Sequence, residues 1–105
     1  MMVLPEKMKA IVKTGPHQGI EMASVEVPSV RHDQILIKVR TTSICGTDLH
    51  IYRWNSWAQN RIKNTPIILG HEFAGNVVKI GAGVSGFFAG DYVTADSHIF
   101  CGHCL

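Results

Sequence analysis

The chain has 105 residues and is 46% hydrophobic, which is the size and composition of one folded domain with an ordinary core. Its formal net charge of +2 comes from ten basic and eight acidic residues spread along the sequence, which excludes a basic stripe for nucleic acid. Residues 1–13 contain neither a signal-peptide core nor a membrane span. We therefore expect a cytoplasmic protein with no nucleic-acid or membrane partner. Three cysteines, an odd number, favour reduced thiols over a disulfide framework.

Four segments have the alternating or branched apolar pattern of β-strands, namely residues 9–13, 35–39, 73–80 and 91–95. Residues 44–58 differ, because Gly46, Thr47 and Asp48 predict the start of a short helix with Thr47 or Asp48 as its cap. Many short strands with glycine turns and one helical insert favour a small β-barrel or sandwich. No Gly-x-Gly-x-x-Gly motif follows a strand, so a dinucleotide would need a domain elsewhere.

Cys45, His71 and Glu72 form a dispersed set of metal-ligand residues. Because Cys45 is far from His71 in sequence, only a fold that returns the chain to the same place makes them co-ligands. A catalytic zinc needs about three protein ligands and an open position for a hydroxyl substrate. Glu72 is either a direct ligand or a nearby carboxylate that adjusts the charge at the metal. Taken singly, Cys45 fits a small buried residue better than a ligand, and His71 fits a structural histidine equally well.

Thr47 and His50 are candidates for proton transfer, because positions i and i+3 place two side chains on one face of a helical turn. A hydroxyl that passes a proton to an imidazole is plausible general-base chemistry. Singly, Thr47 is more typical of a helix cap and His50 of an exposed side chain.

Cys101 and Cys104 form a Cys-x-x-Cys pair directly before the last residue of the sequence. Paired thiolates of this spacing are typical of a closed, structural zinc site, of which this pair is one half. A redox motif is the main alternative. That alternative ranks last, because no strand and helix of a βαβ unit surround the pair.

Three segments in the same order resemble the zinc-dependent medium-chain alcohol dehydrogenases. The first is residues 44–50, with Cys45, and the second is residues 70–75 followed by Gly81 and Val84, with His71 and Glu72. The third is residues 90–93, which resembles the following strand of that family. The resemblance begins at Met8 and implies a mainly β, GroES-like β-barrel that is incomplete in this chain.

The resemblance also implies the roles of particular residues. Cys45, His71 and Glu72 match the ligands of a catalytic zinc, and Thr47 and His50 match a proton relay. Cys101 and Cys104 match the first two of four thiolates in a structural zinc lobe. His98, just before that lobe, is expected near the substrate pocket.

Within the family, residues 42–59 and 97–104 most closely resemble enzymes that oxidise the 3-hydroxyl of L-threonine with NAD. This implies a homotetrameric parent with L-threonine as its small-molecule substrate. Two more structural cysteines, a further catalytic-zinc ligand and the whole Rossmann NAD domain would follow Leu105. We therefore expect residues 1–105 to be a truncated zinc-binding catalytic domain that is inactive alone.

Two alternatives stay open. Polyol and diol dehydrogenases of the same family share the ligands and the relay, so the parent could act on such a substrate instead. The chain could also be a non-catalytic zinc-binding remnant that kept the fold without the chemistry.

Overall fold

The computed structural model describes residues 3–98, which form six strands and two short helices. In chain order these are β1 (Lys7–Lys13), β2 (Glu21–Glu26), β3 (Ile35–Thr42), α1 (Gly46–Arg53), α2 (Ser56–Arg61), β4 (Ile67–Ile68), β5 (Phe73–Ile80) and β6 (Tyr92–Thr94). The strands make two three-stranded sheets, in the orders β2-β1-β4 and β3-β5-β6. All the pairings within the sheets are antiparallel.

The first sheet places β1 between β2 and β4. The β1–β2 register runs from the pair Lys7 and Glu26 to the pair Val12 and Glu21. At the end of β1, Val12 pairs with Ile68 of β4. Exposed and half-buried side chains alternate along β1 as far as Ile11. Val12 and Lys13, at the end of the strand, are both buried.

The second sheet places β5 between β3 and β6, with the register shifted in two places along β3. Gly75 of β5 pairs with Val39 and lies against the backbone of Lys38. A Cβ atom at position 75 would clash with the Lys38 carbonyl oxygen, so this close approach requires glycine. At the far end of the strand, a Cβ at Gly81 would clash in the same way with the Arg31 carbonyl.

The mainly β prediction is confirmed, although the strands of residues 3–98 form two sheets and no closed barrel. The predicted strand at residues 73–80 has the observed bounds, and the other three strands are found with shifted ends. Strands β2 and β4 and helix α2 were not predicted. Strand β2 lacks a strong apolar pattern, and β4 has only two residues, so pairing with β1 determines both.

The two short helices follow one another between β3 and β4 in the sequence. Helix α1 begins at Gly46 with Cys45 as its N-cap, so the prediction of Thr47 or Asp48 as cap is wrong. Asp48 instead occupies the third helical position and accepts a hydrogen bond from the backbone N–H of Cys45 at 3.0 Å. Helix α1 ends at Arg53, and its C-cap Trp54 has a φ of 54°, in the left-handed region. Helix α2 then begins after the N-cap Asn55.

Few apolar side chains are buried in the described part of the chain. They are Val12, Ile51, Ala58 and Val77. Large apolar side chains such as Phe88 and Tyr92 are exposed, at 72% and 62% of their surface. The two sheets therefore do not enclose one large common core.

Candidate metal centre

Pairing between β3 and β5 brings the three dispersed ligand candidates together. The last pair of the ladder joins Thr42 to Phe73, so the residue before Phe73 lies beside the residues after Thr42. Glu72 and His71 thereby face the turn that leads through Ser43 to Cys45 at the start of α1. The antiparallel register thus closes the long sequence gap between Cys45 and His71.

The donor atoms of Cys45, His71 and Glu72 all lie within 4.8 Å of one another. The Cys45 Sγ atom is 3.0 Å from Nε2 of His71. Cys45 and His71 are half-buried, and Glu72 is exposed. Two donors on one tetrahedral zinc are roughly 3–4 Å apart, given metal–ligand bonds of about 2.0–2.3 Å. A thiolate, an imidazole and a carboxylate at these separations fit the donor set that zinc takes.

Asp48 supports two of these residues from behind. One carboxylate oxygen accepts the N–H of Cys45, and the other lies 3.8 Å from Nδ1 of His71. Histidines that bind a metal through Nε2 usually direct Nδ1–H at an acceptor, and the Asp48 carboxylate lies on that side of the His71 ring, beyond direct hydrogen-bond distance. The sequence predicted Asp48 only as a helix cap. The missed signal is its place three residues after Cys45, where a side chain reaches back to the N-cap.

Glu72 is held by the turn between β3 and α1. The Ser43 hydroxyl donates to Oε2 of Glu72 at 2.6 Å, and the Ser43 N–H donates to the Glu72 carbonyl at 3.0 Å. The Thr42 hydroxyl donates to the same carbonyl at 2.9 Å. These contacts fix both the backbone and the carboxylate of Glu72 beside His71. Glu72 is therefore placed for either of the roles that the sequence left open.

Gly70 turns the chain into the site, because its φ of 114° lies where residues with a Cβ are strained. His71 and Glu72 follow at once, between this turn and the first residue of β5. The structure therefore explains why glycine occupies three positions of the segment that contains His71 and Glu72. Gly70 makes a turn, and Gly75 and Gly81 make close backbone contacts.

An open cavity of about 500 Å³ lies beside the centre. Its lining combines hydroxyl side chains with His71 and Glu72 and consists of Thr41, Thr42, Ser43, His71, Glu72, Phe73, Ala74, Thr94, Ala95 and Ser97. A small polar molecule in this cavity would reach the exposed side of the candidate ligands.

The predicted relay residues lie on α1, and the part of the chain that the structure describes shows no hydrogen bond between them. Thr47 is in the first turn of the helix and is half-buried. His50 is in the last turn, where Asn55 contacts its Nδ1 atom at 2.6 Å and Trp57 stacks on its ring with centroids 5.2 Å apart. The structure therefore places the two residues on one short helix and joins His50 to α2.

His98 forms a local pair with Asp96, with 2.9 Å between Nδ1 and the carboxylate oxygen. The hydrogen bond from the His98 side chain lowers the pKa of the Asp96 carboxyl, and the His98 backbone N–H lowers it further. Both side chains are largely exposed. Ser97, rather than His98, is among the residues that line the cavity.

Cys101 and Cys104, the predicted half of a structural zinc site, lie outside the described residues.

Lys13 is a buried cation, although its place in the alternating pattern of β1 predicts an exposed side chain. Its ammonium donates to the carbonyl oxygens of His17 and Gly19, the latter at 2.7 Å. The same group lies 5.1 Å from the centre of the Trp54 ring, in a cation–π contact. Burial lowers the pKa of this ammonium. Lys13 thus ties the loop after β1 to the end of α1.

Residues 31–105 match the alcohol dehydrogenase GroES-like domain. The chain belongs to this family, and the resemblance inferred from its metal-ligand segments is confirmed. Among curated relatives, it is 58% identical over 101 residues to the L-threonine 3-dehydrogenase of Pyrococcus horikoshii. That match includes 96% of this chain and 29% of the relative.

Solved structures of dehydrogenases have the same fold. A short chain alcohol dehydrogenase from E. coli CFT073, complexed with cofactor NADH, superposes with a TM-score of 0.79 at 34% identity over 96% of this chain and 28% of its own. The 2R,3R-butanediol dehydrogenase from Bacillus subtilis superposes with a TM-score of 0.69 at 31% identity, over 80% of this chain and 26% of its own. The chain thus spans less than a third of the length of these proteins.

Helices α1 and α2 have eight and six residues, and neither they nor any other described helix could cross a membrane.

Proposed function

We propose that this chain is the zinc-binding part of an NAD-dependent dehydrogenase that oxidises the 3-hydroxyl of L-threonine to L-2-amino-3-oxobutanoate. One observation carries the proposal, which is the convergence of Cys45, His71 and Glu72 within 4.8 Å at the edge of an open polar cavity. The identity of 58% to a named L-threonine 3-dehydrogenase supports the choice of substrate.

Cys45, His71 and Glu72 are the residues that would hold the catalytic zinc, with Asp48 behind His71. When bound, zinc acts as a Lewis acid that lowers the pKa of a hydroxyl group and so favours the alkoxide. The chain's own contribution is to keep one face of the ligand set open toward the cavity. Ser43 and Thr42 hold Glu72 on this side, so the carboxylate borders the space that a substrate would enter.

The reaction removes a hydride and a proton from the same secondary alcohol. NAD, bound by a region outside this sequence, would accept the hydride from the carbon, and the hydroxyl proton would have to leave the site. We assign Thr47 and His50 to that proton path, with the Thr47 hydroxyl as the carrier and the His50 imidazole as the base. Their position on one face of α1 supports this assignment.

The remaining parts of the proposal concern the longer protein. Residues 1–105 are assigned to the GroES-like catalytic domain, and an NAD-binding Rossmann domain is assigned to a region outside this sequence. Cys101 and Cys104 are assigned to a structural zinc with two further thiolates. We assign the parent to the cytoplasm, as a homotetramer without nucleic-acid or membrane partners. The exposed apolar side chains of this chain fit the expectation that it packs against further protein.

A diol dehydrogenase is the second candidate, because the butanediol dehydrogenase of Bacillus subtilis has this fold at 31% identity. Metal ligands and relay residues do not discriminate between the substrates, since both are secondary alcohols. The difference lies in the pocket groups that would bind the amino and carboxylate groups of threonine.

The test begins with the intact mass of the protein as its own cell produces it. We expect a species much heavier than 11.6 kDa that contains this sequence. That species should reduce NAD with L-threonine far faster than with 2,3-butanediol or sorbitol, whereas preference for a diol would reverse the choice of substrate. A persistent, folded 11.6 kDa species that binds zinc but no NADH would instead support a non-catalytic zinc protein.

A further inference from the structure

The side chain of His50 is held on two sides by residues that follow α1. The Asn55 amide nitrogen lies 2.6 Å from Nδ1, and the Trp57 ring stacks on the imidazole with an angle of 26° between the planes. Arg61 lies over the Trp57 ring in turn, 4.6 Å from its centre. The His50 ring is therefore contacted at its edge by Asn55 and on its face by Trp57, and both contacts restrain its orientation.

The orientation of the Asn55 amide is set by the helix that it caps. Its Oδ1 accepts the backbone N–H of Ala58 at 3.2 Å, which is the N-cap interaction of α2. Rotating the amide by half a turn would direct its NH₂ group at the Ala58 N–H, so that two donors would face each other. The cap therefore decides which atom of Asn55 faces His50, and that atom is the donor Nδ2.

Because the Asn55 amide directs an N–H donor at Nδ1 of His50, Nδ1 must be the unprotonated nitrogen that accepts it. The proton of the neutral imidazole then lies on Nε2, so the ring presents a donor at its other edge. We infer that Asn55 is a positioning residue that fixes His50 as the Nε2–H tautomer and occupies its basic nitrogen until the contact with the amide breaks.

This inference deepens the proposed function, on which the role of His50 as a base rests. In the held state His50 donates a hydrogen bond through Nε2 and has no free lone pair. Uptake of the substrate proton at Nδ1 then needs the Asn55 amide to move away from the ring. Because the same amide caps α2, this movement also loosens the first turn of that helix. Proton transfer and the position of α2 are therefore coupled through one side chain.

The test is nitrogen NMR of the histidine rings in the full zinc-loaded chain at a pH where His50 is neutral. We expect the nitrogen chemical shift of His50 Nδ1 to be that of an unprotonated ring nitrogen, and the shift of Nε2 to be that of a protonated one. An Asn55→Asp variant keeps a cap oxygen for Ala58 but places a second acceptor against Nδ1, so it should move the proton to Nδ1. An Asn55→Ser variant keeps an oxygen that can accept the Ala58 N–H but lacks the amide NH₂ group that faces Nδ1, so it should give chemical shifts averaged between the two tautomers.

Asn60→Asp is the matched control, because it makes the same chemical change at an exposed position of α2. It should leave the tautomer of His50 unchanged. A protonated Nδ1 or averaged shifts in the unsubstituted chain would overturn the inference, as would an Asn55→Asp spectrum identical to that of Asn60→Asp. The tautomer is read without turnover, so a fixed Nε2–H form in a protein that leaves L-threonine unoxidised would contradict the proposed function alone.

Discussion

The candidate metal centre and the cluster of His50, Asn55 and Trp57 are built in different ways. Cys45 and His71 come from distant parts of the sequence and meet because β3 pairs with β5. His50, Asn55 and Trp57 lie within eight successive residues and meet because α1 ends at Arg53, and its C-cap Trp54 is followed directly by Asn55, the N-cap of α2. The first site therefore depends on the register of a sheet, and the second on two helix caps. Substitutions in one should leave the other largely intact.

Removal of a proposed zinc ligand should have the largest effect. In a His71→Ala variant, zinc affinity should fall by more than the roughly 10–100-fold that outer-shell changes cost, because the imidazole donor itself is lost. Competition with a chelator measures this affinity. His98→Ala is the control, since His98 pairs locally with Asp96 and should not change zinc binding measurably. Equal losses in the two variants would contradict the assigned centre.

Loss of the carboxylate behind the ligands should have the next largest effect. Asp48→Asn removes the negative charge beside Nδ1 of His71 but keeps an oxygen that can accept the Cys45 N–H. We expect zinc affinity to fall by about 10–100-fold, with α1 still formed. The same chelator titration, with circular dichroism as a check on the helix, measures both effects. An unchanged affinity would mean that Asp48 only caps the helix.

Loss of the buried cation should have the smallest effect. It should change the stability of the region around the end of α1 and leave the candidate metal centre unchanged. Lys13→Met leaves the His17 and Gly19 carbonyls without their donor and removes the contact with Trp54, while it relieves the burial of a charge. We expect about 1 kcal/mol of lost stability in urea unfolding and an unchanged zinc affinity. A fall in zinc affinity as large as that of Asp48→Asn would show that the two regions are not separable.

The pH dependence of the Lys13 effect has a defined sign. Burial lowers the pKa of Lys13 below its ordinary value of 10.5, so the unfolded chain binds more protons in the interval between the two values. The unsubstituted chain should therefore gain stability relative to Lys13→Met as the pH rises through that interval, and the difference in urea midpoints at each pH measures this gain. The opposite slope would show that the contacts of Lys13 outweigh its burial.

Local patterns predicted the strands that have a clear apolar signature, and β5 was predicted with its observed bounds. They did not predict β2, which depends on pairing with β1 for a position in the sheet. At the site, the ligand candidates could be predicted because their residue types are uncommon together and match a known family. The partners of His50 could not, because a cap such as Asn55 has no distinctive pattern until the helix boundary is known.

The sequence by itself determined the mainly β class and the candidate metal ligands, which follow from residue type and local order, and the family, which follows from the resemblance of its motifs. Only the tertiary structure decided that Asp48 lies behind His71, that Lys13 is buried against Trp54, and that Asn55 faces Nδ1 of His50. The physical reason is that hydrogen-bond partners depend on distance and direction. Strand register and helix ends set both, and they are properties of the folded chain.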